Sequence, residues 1–215
     1  MSTTINDLNL PRSGLIAAAE DWVRSIEPPF LVNHSVRAYV FGRVVGQGQG
    51  LQPGVDYDDE VLCLGCLLHD VGLTEQGDRD QRFEVDGADL AVQFLLDNGF
   101  SPDRADIVWD AIALHTSPGI PGRKRPEIAL LQAGTSIDIL GGPNDLPPGM
   151  AERTHHALPR LGVQNAFRDA VLAYSARKPS KSPPYAFPGE LVRQCIPGAA
   201  IPTYDDGVAR SGWDE

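Results

Sequence analysis

Cysteine is scarce in this chain of 215 residues. Its three cysteines, Cys63, Cys66 and Cys195, cannot all pair with one another, which argues against the disulfide framework of a secreted domain. Lysine is equally scarce: only Lys124, Lys178 and Lys181 stand among 18 basic residues, against 29 acidic ones, for a formal charge of −11. Such a surface repels phosphate backbones and anionic lipid, so neither nucleic acid nor a membrane is expected as a partner. No window approaches 18 uninterrupted apolar residues, which excludes a transmembrane helix. The N-terminus, MSTTINDLNLPR, has no basic patch followed by an apolar stretch, so no secretory signal is read there and a cytoplasmic protein is expected. Strand-like alternation is also rare. What remains is ordinary globular composition, 42% apolar and 22% charged, in a chain of a length that suits one domain.

The apolar residues recur mostly at helical spacing, and the expected fold is all-α. A first helix is read over about Gly14 to Ile26, with Ser13 as N-cap and Pro28-Pro29 ending it. A second runs from Asn33 or His34 to Val45, followed by GQGQGLQPGVDY as a loop. Those glycines do not make a dinucleotide fingerprint, because no strand precedes them. Asp58 caps a third helix, Asp59 to His69, which is apolar on most sides and so central. Gly72 is read as the left-handed residue that ends it. Further helices are expected over about Glu84 to Asn98, closed by Gly99; from Ser101-Pro102 to His115; Glu127 to Leu140, ended by Gly141-Gly142-Pro143; and Val163 to Arg177. Residues 1–195 are read as one helical bundle, with a Pro-rich arm beyond Lys178. Residues 196–215 are read as an irregular tail that lies on the body or on a neighbouring subunit; a homo-oligomer is compatible with this.

Few residues here bear chemistry, which makes those few informative. His69-Asp70 places two metal-type ligands in succession where a very apolar helix meets a glycine. His34 opens an earlier helix. Asp138 lies in the apolar run IALLQAGTSIDILGG, where a charge is costly unless paired or bound to a cation. No Lys or Arg lies between Arg125 and Arg153 to pair with it. Two imidazoles and two carboxylates from three helices can hold one divalent cation inside a bundle, leaving positions open for water and substrate. At a helix end the geometry loosens, and adjacent His69 and Asp70 can share an ion there.

The order H…HD…D resembles the HD-domain superfamily of metal-dependent hydrolases and, more closely, its cyanamide hydratase-like branch. The resembling stretches are NHSVRAYVFG at 33–42, LGCLLHDVGLTE at 64–75, RFEVDGADLA at 82–91, AIALHT at 111–116 and LLQAGTSIDILG at 130–141, within a signature core of 30–142. The resemblance implies His34, His69, Asp70 and Asp138 as metal ligands and His115 as a catalytic histidine outside the ligand set. Asp70 is counted among the catalytic residues as well. Two-iron oxygenase relatives need two further histidines between the HD pair and the last Asp, where this chain has only His115, so one metal ion is expected. Zinc is the expected metal, with iron or manganese as alternatives.

The reaction implied is hydration of a small neutral nitrile, cyanamide to urea. The cation would bring the pKa of bound water toward ~7 and supply hydroxide at neutral pH. His115 would act as general acid/base. Thr74 and Glu84 are read as lining the pocket or orienting the ligands. The alternative is a phosphohydrolase acting on a nucleotide monophosphate or similar ester, with Arg37, Arg79 or Arg82 as phosphate partners. Against it stand the missing lysines and Leu73, where those relatives often carry an acid. A third reading, a metal-stabilised binding module, shares the ligand set and differs only in turnover. Cys63 and Cys66 are read as buried core, and His155-His156 as surface or interface.

Overall fold

The computed structural model describes residues 10–142 and 146–213. The expectations for MSTTINDLN, for Pro143 and for the last two residues lie outside that range. Among the described residues there are ten α-helices and no strand, as the periodicity requires.

Helix α1 (Gly14–Ile26) begins where Ser13 accepts from the Ile16 amide at 3.1 Å. Helix α2 (Pro29–Gly48) is longer at both ends than the spacing suggests. Pro29 does not merely stop α1; it occupies the first turn of α2, where a missing amide hydrogen costs nothing. The GQG segment continues α2 for a last turn before the loop begins. Helix α3 (Asp59–Leu68) is capped by Asp58, whose carboxylate accepts from the Glu60 and Val61 amides. Helices α4 (Phe83–Asp97), α5 (Pro102–Leu114) and α6 (Pro126–Leu140) complete the core. Ser101 holds the cap position of α5, but its side chain makes no capping bond.

Two close approaches decide where the site forms. Helix α6 packs chiefly on α2, and at their crossing a Cβ on Gly134 would fall 2.0 Å from the Ala38 carbonyl oxygen. Ala38 is one turn beyond His34 and Gly134 one turn before Asp138, so the missing side chain lets the two backbones meet and brings those residues together. The second approach is at Gly72. It is not in the left-handed region, contrary to expectation. It sits in a 3-10 turn (Val71–Leu73) after His69 and Asp70, where a Cβ would fall 1.9 Å from the Phe83 carbonyl oxygen. Gly72 is needed for contact with α4, not for ending α3.

Helices α7 (Met150–Ala157), α8 (Val163–Ser175), α9 (Phe187–Cys195) and α10 (Tyr204–Ala209) follow; α8 packs on α2, and α9 packs on α8. Of these, only α8 was legible from periodicity. The expected irregular tail contains α10, a short helix with a capping box between Thr203 and Asp206. A second small apolar cluster forms from Leu31, Phe83, Val163, Phe167, Val171 and Tyr174. No helix of the described chain is long and apolar enough to cross a membrane.

Candidate metal centre

His34 comes from α2, while His69 and Asp70 follow the last turn of α3. All three are buried. Their ligand atoms lie within 4.8 Å of one another. His34 Nε2 is 3.2 Å from His69 Nε2, and Asp70 Oδ2 is 3.2 Å from His69 Nε2 and 3.7 Å from His34 Nε2. His115, at the C-terminal end of α5, turns its Nε2 to within 3.8 Å of Asp70 Oδ1.

The other ring nitrogens explain why the Nε2 atoms converge. His69 Nδ1 faces the Cys66 carbonyl at 2.7 Å, His115 Nδ1 the Ile112 carbonyl at 2.6 Å, and His34 Nδ1 Asp138 Oδ2 at 2.7 Å. Carbonyl and carboxylate oxygens only accept, so each Nδ1 carries the proton and donates. Each neutral ring therefore presents a lone pair at Nε2. Two of those lone pairs meet 3.2 Å apart beside a carboxylate, an arrangement that repels itself unless positive charge lies among them. Neither oxygen of Asp70, nor Nε2 of His115, has a hydrogen-bond partner, although all are buried. The residues therefore fit a divalent cation.

The electrostatics agree. Burial works against the Asp70 carboxylate, but the imidazoles of His69, His34 and His115 prevail and bring its pKa down to about 2. Burial also works against the His69 imidazolium, yet the neighbouring Asp70 charge pushes its pKa up. The point between these side chains calls for positive charge. Burial, together with the charge of His69, brings the pKa of His115 down to about 4, which leaves it neutral near pH 7.

Asp138, expected as a fourth ligand, is not part of this three-residue cluster. It lies behind His34, and the cation thought to be missing reaches it from other elements. Arg37 grips both oxygens at 2.7 Å, Nε on Oδ1 and Nη2 on Oδ2, and Arg160 donates to Oδ1 at 3.2 Å. In this arrangement Asp138 orients and polarises the His34 ring, as carboxylates commonly do for metal-binding histidines.

The pocket-lining readings need correction as well. Arg37 is fully buried and its guanidinium is spent on Asp138 and the carbonyls of Leu158 and Pro159, so it cannot meet a substrate. Thr74 folds its hydroxyl onto the Val71 carbonyl at 2.7 Å and faces a different groove. Glu84 is buried and orients others: it accepts from Arg82 at 2.6 Å and from Thr116 at 2.5 Å. His155, read as surface or interface, is partly buried and sits 3.8 Å from Asp138 Oδ1 beside Arg160.

The three histidines open into a cavity of about 150 Å³, lined also by Thr116, Gln132, Thr135, Ser136 and an apolar wall that includes Phe167 and Phe187. No Lys or Arg lines it among the described residues. The two phenylalanines come from α8 and α9, and their contribution was not readable in advance, because no periodic signal links those helices to His34.

The HD domain family profile matches residues 31–139, just over half the chain. The chain belongs to the HD domain family. It is cyanamide hydratase-like within that family: it is 30% identical to cyanamide hydratase DDI2 of Saccharomyces cerevisiae over 153 residues, covering 69% of this chain and 67% of the yeast protein. The same identity and coverage hold for cyanamide hydratase DDI3 of that yeast.

Proposed function

We propose that this protein hydrates a small neutral nitrile, as its yeast relatives' names imply for cyanamide, at one divalent cation held by His34, His69 and Asp70. The convergence of unshared Nε2 lone pairs on a carboxylate without hydrogen-bond donors carries this reading. When bound, the cation, zinc in this proposal, supplies the Lewis acidity that makes water nucleophilic near neutral pH.

The chain's own residues do the rest. The apolar wall excludes bulk water around the reacting carbon. His115, neutral and with its Nδ1 proton tied to Ile112, has only Nε2 available for proton transfer. It takes a proton from the attacking water and returns it to the nitrile nitrogen as that nitrogen gains charge. The balance is one nitrile and one water to one amide: the water oxygen ends on carbon and both its hydrogens on nitrogen, so cyanamide yields urea. A phosphoester would need cationic partners that the cavity wall does not offer.

The test is urea release from cyanamide by zinc-replete protein, with His69→Ala as control and metal content measured in both. Urea from the wild type alone supports the reading; metal-loaded wild type that forms none overturns it. His115→Ala is expected to keep its metal and lose at least about 100-fold in kcat, and a variant stripped of metal would instead make His115 a ligand.

A further inference from the structure

We infer that the substrate for which the cavity is built is a nitrile carrying an apolar substituent, and that Phe187 is a specificity-determining residue for it. This rests on the nitrile reading above and names the substrate class within it.

Cyanamide has no carbon beyond the one attacked, so it would need only the polar floor of the site. The structure offers more. The cavity of about 150 Å³ includes the space at the histidines, and its wall away from them is apolar, formed by Phe167, Phe187, Ile139 and Leu140. The polar side chains along it bond partly to one another and to their own helix. Gln132 donates to Ser136 at 2.8 Å, Thr135 folds onto the Gln132 carbonyl at 2.9 Å, and Thr116 donates to Glu84. The apolar surface continues to the mouth, where Leu140 is 81% exposed. An apolar group bound there would cover it.

The aromatic wall is placed with care. The Phe167 ring lies 6.1 Å from the His34 ring and 6.2 Å from that of Phe187, so the two phenylalanines form a continuous surface leading away from the metal-binding histidines. Phe187 is the first residue of α9, just beyond a segment anchored by Lys181. That lysine is fully buried and binds Asp78 at 2.9 Å, Asp86 at 3.3 Å and the Tyr174 hydroxyl at 2.8 Å. There Phe187 packs on the small apolar cluster around Phe167 and also lines the cavity.

The reaction is unchanged: an N-substituted cyanamide and one water give the N-substituted urea. Each buried methylene should raise kcat/KM about fourfold until the cavity is filled. The test compares cyanamide, N-ethylcyanamide and N-benzylcyanamide on zinc-loaded protein, following each urea. Expected is a rise of at least tenfold in kcat/KM from cyanamide to N-benzylcyanamide, carried mainly by KM. Phe187→Ala is expected to lower kcat/KM for N-benzylcyanamide at least tenfold more than for cyanamide, and Phe187→Leu to recover part of the difference. Calorimetry with N-benzylurea reads the same pocket without turnover, and its binding should weaken in Phe187→Ala. Cyanamide hydrated as well as or better than N-benzylcyanamide overturns the inference and leaves nitrile hydration standing. Equal losses for both substrates in Phe187→Ala overturn the role of Phe187. Metal-loaded protein inert to all three overturns both readings.

Discussion

Asp138 shows how much a single buried carboxylate depends on its company. Alone in an apolar helix it would be costly to ionise, yet burial is overcome by the bonds from Arg37 and His34, which hold its pKa far below the ordinary carboxylate range. The pair sits where neither partner sees solvent. Arg37→Leu therefore strands the charge and is expected to cost about 3–5 kcal/mol, measured by urea denaturation. Adding Asp138→Asn to that variant should recover part of the loss, because no charge is then left unpaired. The site as sequence presents it, His34, His69-Asp70 and Asp138, was visible because charged residues in apolar helices stand out. What could not be read was that Arg37, three residues after His34 on the same helix face, turns toward Asp138 and away from any substrate.

At the scale of elements, the turn after α3 matters most. Gly72 lets the backbone after Asp70 touch the first turn of α4, so the position of the HD pair is set by a contact rather than by the end of its own helix. Gly72→Ala is expected to destabilise by about 3 kcal/mol or more, since the clash is with backbone. It should also weaken metal binding, which equilibrium dialysis would show. The start of α3 is set by Asp58, whose carboxylate accepts two helix amides and pairs with Arg104 at 2.8 Å. Burial works against that carboxylate, but the Arg104 bond and the Val61 amide prevail and lower its pKa. A depressed folded pKa gives stability that is present above the unfolded value, about 3.9, and lost as pH falls through the folded one. Asp58→Ala should thus cost about 1 kcal/mol at pH 7. The gap between wild type and variant should close below about pH 4, which denaturation curves across pH would reveal. The cap was legible in advance because it depends on neighbours two and three residues away. The role of Gly72 was not, because its partner Phe83 lies beyond a polar loop.

Across the whole molecule, the bundle of α1 to α6 builds the ligand cluster, and α8 and α9 add Phe167 and Phe187 to its cavity wall. The two halves are joined by a buried polar knot. Lys181, from the Pro-rich arm, reaches Asp78, Asp86 and Tyr174, and its ammonium lies 4.0 Å from the centre of the Tyr174 ring. Removing a buried charge from such a knot leaves its partners uncompensated. Lys181→Met is expected to cost about 3 kcal/mol and to loosen the α9 segment. Protease cleavage after residues of the 178–186 segment, faster in the variant than in wild type, would check it.

Helical class, most helix starts and the prominence of His34, His69 and Asp70 follow from the sequence by itself. Each of these depends on local spacing, on caps a few residues away, or on a polar residue standing out in an apolar run. The tertiary structure alone decided which ring nitrogens converge, that Asp138 answers to Arg37 and Arg160, and that Phe167 and Phe187 wall the cavity. Those outcomes rest on contacts between residues about 20 to 130 positions apart, and no periodicity within one segment encodes where another segment will land.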